Sequence, residues 1–245
     1  GRGQHCFAAR TLTETYMPQR LAEGVWLLDI GLVPPFATNG YLVDDGTVTL
    51  IDPGLPWNRP TLGAELAEIG YEVGDIDQVF LTHYDIDHTG GLRALDGAFD
   101  GPVYIGAEDL ALGSGECDPK LFHHKGLFHR VARRIYPLPD HMDVRGVEDG
   151  DEIGRFTAYH TPGHNPGHTV FVHDSGAAFL GDLTWEDGGR LTPPFWLDSY
   201  DMRALTESIR DLSERVPPFE VAAMGHGTPL VRDGRTALLE CAARL

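Results

Sequence analysis

Cysteine is scarce in this chain of 245 residues: Cys6, Cys117 and Cys241 stand far apart, and no Cys-x-x-Cys pair occurs. That excludes a zinc ribbon and a disulfide scaffold, and makes a reducing, cytoplasmic setting the expectation. Long apolar runs are lacking as well. Nothing approaches the roughly 20 residues that a membrane-spanning helix needs, and residues 1–5 carry no signal-peptide core. Positive charge is short: 19 Lys and Arg face 37 Asp and Glu, for a formal net charge of −18. Such a field repels phosphate, so neither nucleic acid nor an anionic membrane surface is an expected partner. Low-complexity linkers and close repeats are also missing. The expectation is one domain over 1–245, with a hydrophobic fraction of 42% supplying an ordinary core.

What is present alternates between strand and helix patterns. Residues 25–30 read as a strand, followed by a turn at Pro34-Pro35. Residues 39–43 and 48–51 read as a hairpin around Asp44-Asp45-Gly46. Leu62, Leu66 and Ile69 have helical spacing and stop at Gly70, a C-cap residue. Residues 76–81 form another apolar run, a short helix starts near Gly90-Gly91, and residues 103–105 form a further strand. The segment at about 107–139 breaks this rhythm and reads as a helical insert, with an amphipathic helix over 120–135 interrupted at Gly126. Strands follow over 156–159, 169–172 and 177–180, then a helix over 199–216, a strand over 221–224 and a helix over 236–245. Two similar halves, each a sheet covered by helices, make an α/β protein with a four-layer αββα sandwich.

Thr82-His83-Tyr84-Asp85-Ile86-Asp87-His88-Thr89 concentrates four metal-competent side chains after an apolar run. On extended backbone His83 and Asp85 share one side, while Asp87 and His88 diverge from them, an arrangement that can serve two metals. Alone, the stretch reads equally as a helix-capping turn. Three later stretches tip the balance: Thr161-Pro162-Gly163-His164, Gly181-Asp182 and Gly225-His226-Gly227. Each puts a ligand-type residue just after a predicted strand, as His83 is placed.

With these motifs in this order, the chain resembles the metallo-β-lactamase-fold hydrolases from about Val25 onward. The family's first motif usually reads His-x-His-x-Asp-His; here it is His83-x-Asp85-x-Asp87-His88. The resemblance implies two divalent metal ions, one held by His83, Asp85 and His164, the other by Asp87, His88 and His226, with Asp182 between them. It also implies that Asp52 supports the site, and that His168 is not a ligand. Aspartate in place of histidine at 85 adds a third carboxylate. Zinc is the usual metal of the family, and the oxygen-richer site shifts the expectation toward iron or manganese.

The implied chemistry is metal-dependent hydrolysis, with metal-bound hydroxide attacking an ester, lactone or thioester carbonyl and Asp87 handling a proton. Glyoxalase-type thioesterases and acyl-homoserine lactonases are the functional relatives this suggests, ahead of a β-lactamase proper. The alternative is a diiron oxidoreductase or oxygen-handling member of the same fold, although no flavin-binding pattern is visible. A small-molecule substrate is expected. Phe122, Phe128, Trp185, Phe195 and Trp196 either wall an apolar pocket for an acyl chain or belong to core or an interface. An apolar face on the insert would pair two subunits as a homodimer. His123, His124 and His129 read as solvent-facing, and Lys120, Arg130, Arg133 and Arg134 as a solvated helix face.

Overall fold

The computed structural model describes residues 18–28, 30, 38–58, 61–119 and 123–245. Cys6, the Pro34-Pro35 turn, Lys120 and Phe122 lie outside the described residues. One sheet holds β1 (Gln19–Ala22), β2 (Val25–Leu28), β3 (Gly40–Asp44), β4 (Val48–Ile51), β5 (Gln78–Leu81), β6 (Val103–Gly106) and β7 (Val144–Val147), paired in sequence order. Its first four strands are antiparallel, and β4 through β7 run parallel. Between and after them come α1 (Leu62–Glu68), α2 (Ile86–Thr89), α3 (Ala107–Ser114) and α4 (His124–Ile135). The second sheet contains β8 (Glu152–Ile153), β9 (Phe156–His160), β10 (Thr169–His173) and β11 (Ala177–Gly181). A short ribbon, β12 (Trp185–Asp187) with β13 (Arg190–Thr192), precedes α5 (Met202–Arg215), β14 (Val221–Met224) and α6 (Gly234–Ala243). The order in the second sheet is β14-β11-β10-β9-β8, and β14 is parallel to β11.

Period-two alternation sorts each strand's residues between two apolar layers. Tyr41, Val43, Ile51 and Phe80 meet Phe156, Phe171, Phe179 and Ala223 between the sheets. Their neighbours Leu42, Leu50, Val79 and Leu81 point the other way, onto Leu62 and Leu66 of α1. In the second sheet Val170, Ala178, Leu180 and Met224 turn outward to Leu205, Ile209 and Leu212 of α5 and Leu238 of α6. Helix, sheet, sheet and helix therefore stack as the expected αββα sandwich. Three contiguous apolar layers result, and the strand ends between them are where polar groups gather.

Local chemistry trims several sequence boundaries. The α5 helix begins at Met202, because the Asp201 carboxylate accepts from the Arg203 and Ala204 amides and caps it. It ends at Arg215, since Val216 precedes proline and takes extended backbone. The α4 helix runs unbroken through Gly126, which sits in its first turn and donates its amide to the His123 ring. Asp87 and His88 lie on the short α2 helix, and a 3₁₀ helix over Gly90–Leu95 follows it, where a short helix was expected. The strands β1, β7, β8, β12 and β13 were not foreseen; most are edge or ribbon strands too short for a periodic signal.

Candidate metal centre

The strands β4, β5, β11 and β14 are each followed within two residues by a site residue: Asp52, His83, Asp182 and His226. The turn after β9 adds His164. Open α/β sheets gather ligands at strand carboxyl ends for this reason: backbone runs out there and side chains converge.

Asp52 is buried and organises one side of the centre. One carboxylate oxygen accepts from the Thr82 amide (2.8 Å); the other accepts from the Thr82 hydroxyl (2.6 Å) and from His88 Nδ1 (2.9 Å). Having given its proton to Asp52, the Thr82 hydroxyl can only accept from His83 Nδ1, 3.0 Å away. In their neutral forms both imidazoles thus carry the proton on Nδ1 and turn the Nε2 lone pair inward. His83 Nε2, His88 Nε2 and Asp182 Oδ1 are buried and meet no hydrogen-bond partner. Three such atoms facing one another are costly unless something electrophilic is meant to meet them.

The ligand-type atoms fall into two groups, His83 with His164 and Asp182, and Asp87 with His88 and His226, each within 4.8 Å. Asp182 lies between them: its oxygens are 3.6 Å from His164 Nε2, 3.2 Å from His226 Nε2 and 3.7 Å from His88 Nε2. Asp87 Oδ2 is 3.4 Å from His226 Nε2 and accepts from the Thr38 hydroxyl at 3.3 Å. The donor set, imidazoles and carboxylates with inward lone pairs, fits divalent transition metals. Electrostatics agree. Burial disfavours ionised Asp182, yet His226, His88 and His164 around it hold its carboxyl well below the usual range. Burial disfavours charged His88 too, but Asp52, Asp87 and Asp182 outweigh it and raise its pKa to about 9. Carboxylates and imidazoles are balanced against one another across the centre.

Gly225 shows how tight that space is. A Cβ there would fall 2.2 Å from Asp182 Oδ1 and 2.6 Å from the His88 ring, so only glycine lets β14 pass. His168 has both ring nitrogens engaged, Nδ1 with the Thr161 hydroxyl and Nε2 accepting the Asp182 amide. Burial and the neighbouring His83 push its pKa well down. A neutral ring here positions Asp182.

Asp85 borders the first group, with Oδ2 3.4 Å from His83 Nε2 and 3.2 Å from His164 Nε2. Its oxygens are also engaged by Lys125 (2.8 Å), His129 (2.6 Å) and Asn165 (3.1 Å). Burial would raise its pKa, but Lys125, His83, His129 and His164 hold it well below the usual range. Lys125 and His129 are the site residues the sequence reading missed, and His129 corrects it outright. Its ring is buried, bonded to Asp85 and to the Tyr200 hydroxyl (2.7 Å), not solvent-facing. The signal was available: Lys125 is one of two lysines in the chain, and His129 lies one turn along the same helix face. Arg130 and Arg133 pair with Asp118 and with backbone carbonyls of 117–119.

Trp185 sets its ring edge-on to His226 at 5.2 Å, while Phe128, Phe195 and Trp196 are exposed. A cleft of about 700 Å³ between α3 and residues 137–142 is lined by Arg93, Leu110, Leu138 and Met142, and includes none of the ligand-type residues.

The family model of the metallo-beta-lactamase superfamily matches residues 33–226. The chain belongs to that superfamily. Among its curated relatives, the probable metallo-hydrolase YybB of Bacillus subtilis (strain 168) is 28% identical over 187 residues, covering 74% of this chain and 76% of the relative. A hydroxyacylglutathione hydrolase of Cereibacter sphaeroides is 31% identical over 209 residues, covering 81% of this chain and 66% of the relative. TTHA1623, solved in a di-iron-bound form, superposes with a TM-score of 0.61 at 30% identity, over 83% of this chain and 94% of that one. A metallo-beta-lactamase family protein of Thermus thermophilus shares the fold, with a TM-score of 0.69 at 24% identity over 92% and 80% of the two chains. This superfamily member is thus of metallo-hydrolase type, with His and Asp clusters suited to divalent metal ions. No helix among the described residues is long and apolar enough to cross a membrane.

Proposed function

We propose that this metallo-hydrolase cleaves an ester, lactone or thioester bond of a small acyl-bearing substrate at a two-position metal centre. The observation that carries the proposal is the convergence of unpartnered His83 Nε2, His88 Nε2 and Asp182 Oδ1 inside the two ligand groups. His83 and His164 would hold one divalent ion, Asp87, His88 and His226 another, and Asp182 would face both. When bound, such ions supply Lewis acidity, making a water more acidic and polarising an acyl oxygen.

The chain's own residues do the rest. Asp52 and Thr82 lock two imidazole tautomers, so their lone pairs need no reorganisation. His226, with 21% of its side chain exposed, and Asp87, with 29%, mark the open side of the centre. Asp87 Oδ2 is therefore the carboxylate oxygen placed to take a proton from the attacking water and hand it on to the leaving group as a tetrahedral intermediate collapses. The exposed rings of Phe128, Phe195 and Trp196 offer an apolar rim for the acyl portion. The thioester option draws support from the hydroxyacylglutathione hydrolase relative.

The test is metal analysis of the purified protein, then a screen of lactones, thioesters and phosphodiesters with that metal restored. Carbonyl substrates should be cleaved, and Asp182→Ala should lose metal and activity together. Full activity in Asp182→Ala would remove the two-position mechanism. A diiron oxygen-handling protein is the second reading, favoured by the di-iron relative and the carboxylate-rich site. Oxygen consumption by iron-loaded protein, without cleavage of any ester, would select it.

A further inference from the structure

The α4 helix delivers one lysine into the centre. Lys125 is 4% exposed, and its Nζ lies 2.8 Å from Asp85 Oδ2, 2.8 Å from His164 Nε2 and 2.7 Å from the Asp198 carbonyl oxygen. An ammonium has three N–H groups, and here it meets three acceptors. One of them, His164 Nε2, is the imidazole nitrogen that faces Asp85 and Asp182. A single lone pair serves a proton donor or a metal, not both. On the other side of the centre His88 Nε2 has no such occupant.

We infer that Lys125 is a built-in cation competing with metal for the His83/His164 position, so that the two positions fill unequally, Asp87/His88/His226 first. Charge points the same way: Lys125 already sets a positive charge against Asp85, so an ion entering the His83/His164 position meets a like charge. Asp85 is then primarily the lysine's partner, held by His129 and Asn165 on its other oxygen. That offers an account of aspartate where the family usually has histidine: a carboxylate pairs with an ammonium, and a neutral imidazole would not. The α4 helix also buries its polar side, Lys125 and His129, while Leu127, Phe128, Val131 and Ile135 stay about half exposed. Its inward face is chosen for this contact.

The inference rests on the metal reading above, and a zinc titration separates the two. Chelator-treated protein is titrated with Zn²⁺ by calorimetry, with bound metal counted by elemental analysis after dialysis. Wild type should show two steps, the first tight and the second weaker by roughly 10–100-fold, the size of effect that groups contacting a ligand exert on metal affinity. Lys125→Met should strengthen the second step toward the first, and His226→Ala should remove the first. Two equal steps in wild type, or a second step unmoved in Lys125→Met, would overturn the inference and leave the metal reading standing. No zinc binding by wild type would overturn both. The wild-type titration decides the unequal filling by itself, should Lys125→Met fail to fold.

Discussion

Asp52 adopts a positive φ of 50°, uncommon for a side chain other than glycine, and does so where its carboxylate must reach Thr82 and His88 at once. Strain at that residue is offset by the two imidazoles it aligns. Asp52→Ala should therefore lower zinc affinity by about 10–100-fold while leaving the far-ultraviolet circular dichroism unchanged. Equal affinity in a zinc titration would show that Asp52 merely shapes the turn. Gly225 makes the complementary case. Gly225→Ala would drive a methyl into Asp182 and His88, and we expect metal content after dialysis to fall sharply with the fold retained. Neither effect follows from residue type alone. Both depend on which atoms lie in direct contact.

At the scale of elements, the two sheets are held by what faces inward between them. Phe80 of β5 has its ring centroid 4.8 Å from that of Phe156, 4.7 Å from Phe171 and 5.4 Å from Tyr104. Phe80→Ala should cost about 3–5 kcal/mol, a drop of roughly 10 °C in melting temperature for a chain of this size. A shift of only a degree or two would mean that the aromatic layer repacks. At its edge, Asp45 in the β3–β4 turn accepts from the His173 ring at the end of β10 (3.0 Å), tying one sheet to the other. Partial burial raises the Asp45 pKa, but the His173 and Thr47 N–H donors outweigh it and leave it below the ordinary value. A carboxyl with a depressed folded pKa stabilises above its unfolded pKa of about 3.9, and that stabilisation is lost as pH falls through the folded value. Melting temperatures of wild type and Asp45→Asn should differ near pH 6 and converge as pH falls below the unfolded pKa and through the folded one. The apolar face of α4 points outward, as one reading of its spacing had it; the local pattern missed that the opposite, polar face carries Lys125 and His129 inward.

Over the whole molecule, the net charge of −18 sets the long-range field. Metal cations are drawn in and anionic substrates are held off, both more strongly at low salt. For an anionic thioester we expect KM to fall as ionic strength rises from about 10 to 150 mM, with an uncharged lactone unaffected; parallel behaviour of the two substrates would assign the charge no steering role. The αββα order, its central strands and the candidate ligands His83, Asp87, His88, His164, Asp182 and His226 were legible in the chain. Period-two alternation and a ligand at a strand's end are local patterns, set by backbone geometry that every strand shares. Local pattern did not reveal the partners of Asp85. The Lys125 and His129 side chains reach it across 40 and 44 residues of sequence, and whether a helix turns its polar or its apolar face inward depends on what waits beneath it. Fold class and metal-competent residues could be read from the chain, because strand alternation and ligand-type residues at strand ends are local patterns, and the family resemblance sorted those residues into two groups. That an ammonium stands beside one of those groups could not be read there, because the contact depends on distances between elements, which spacing does not encode.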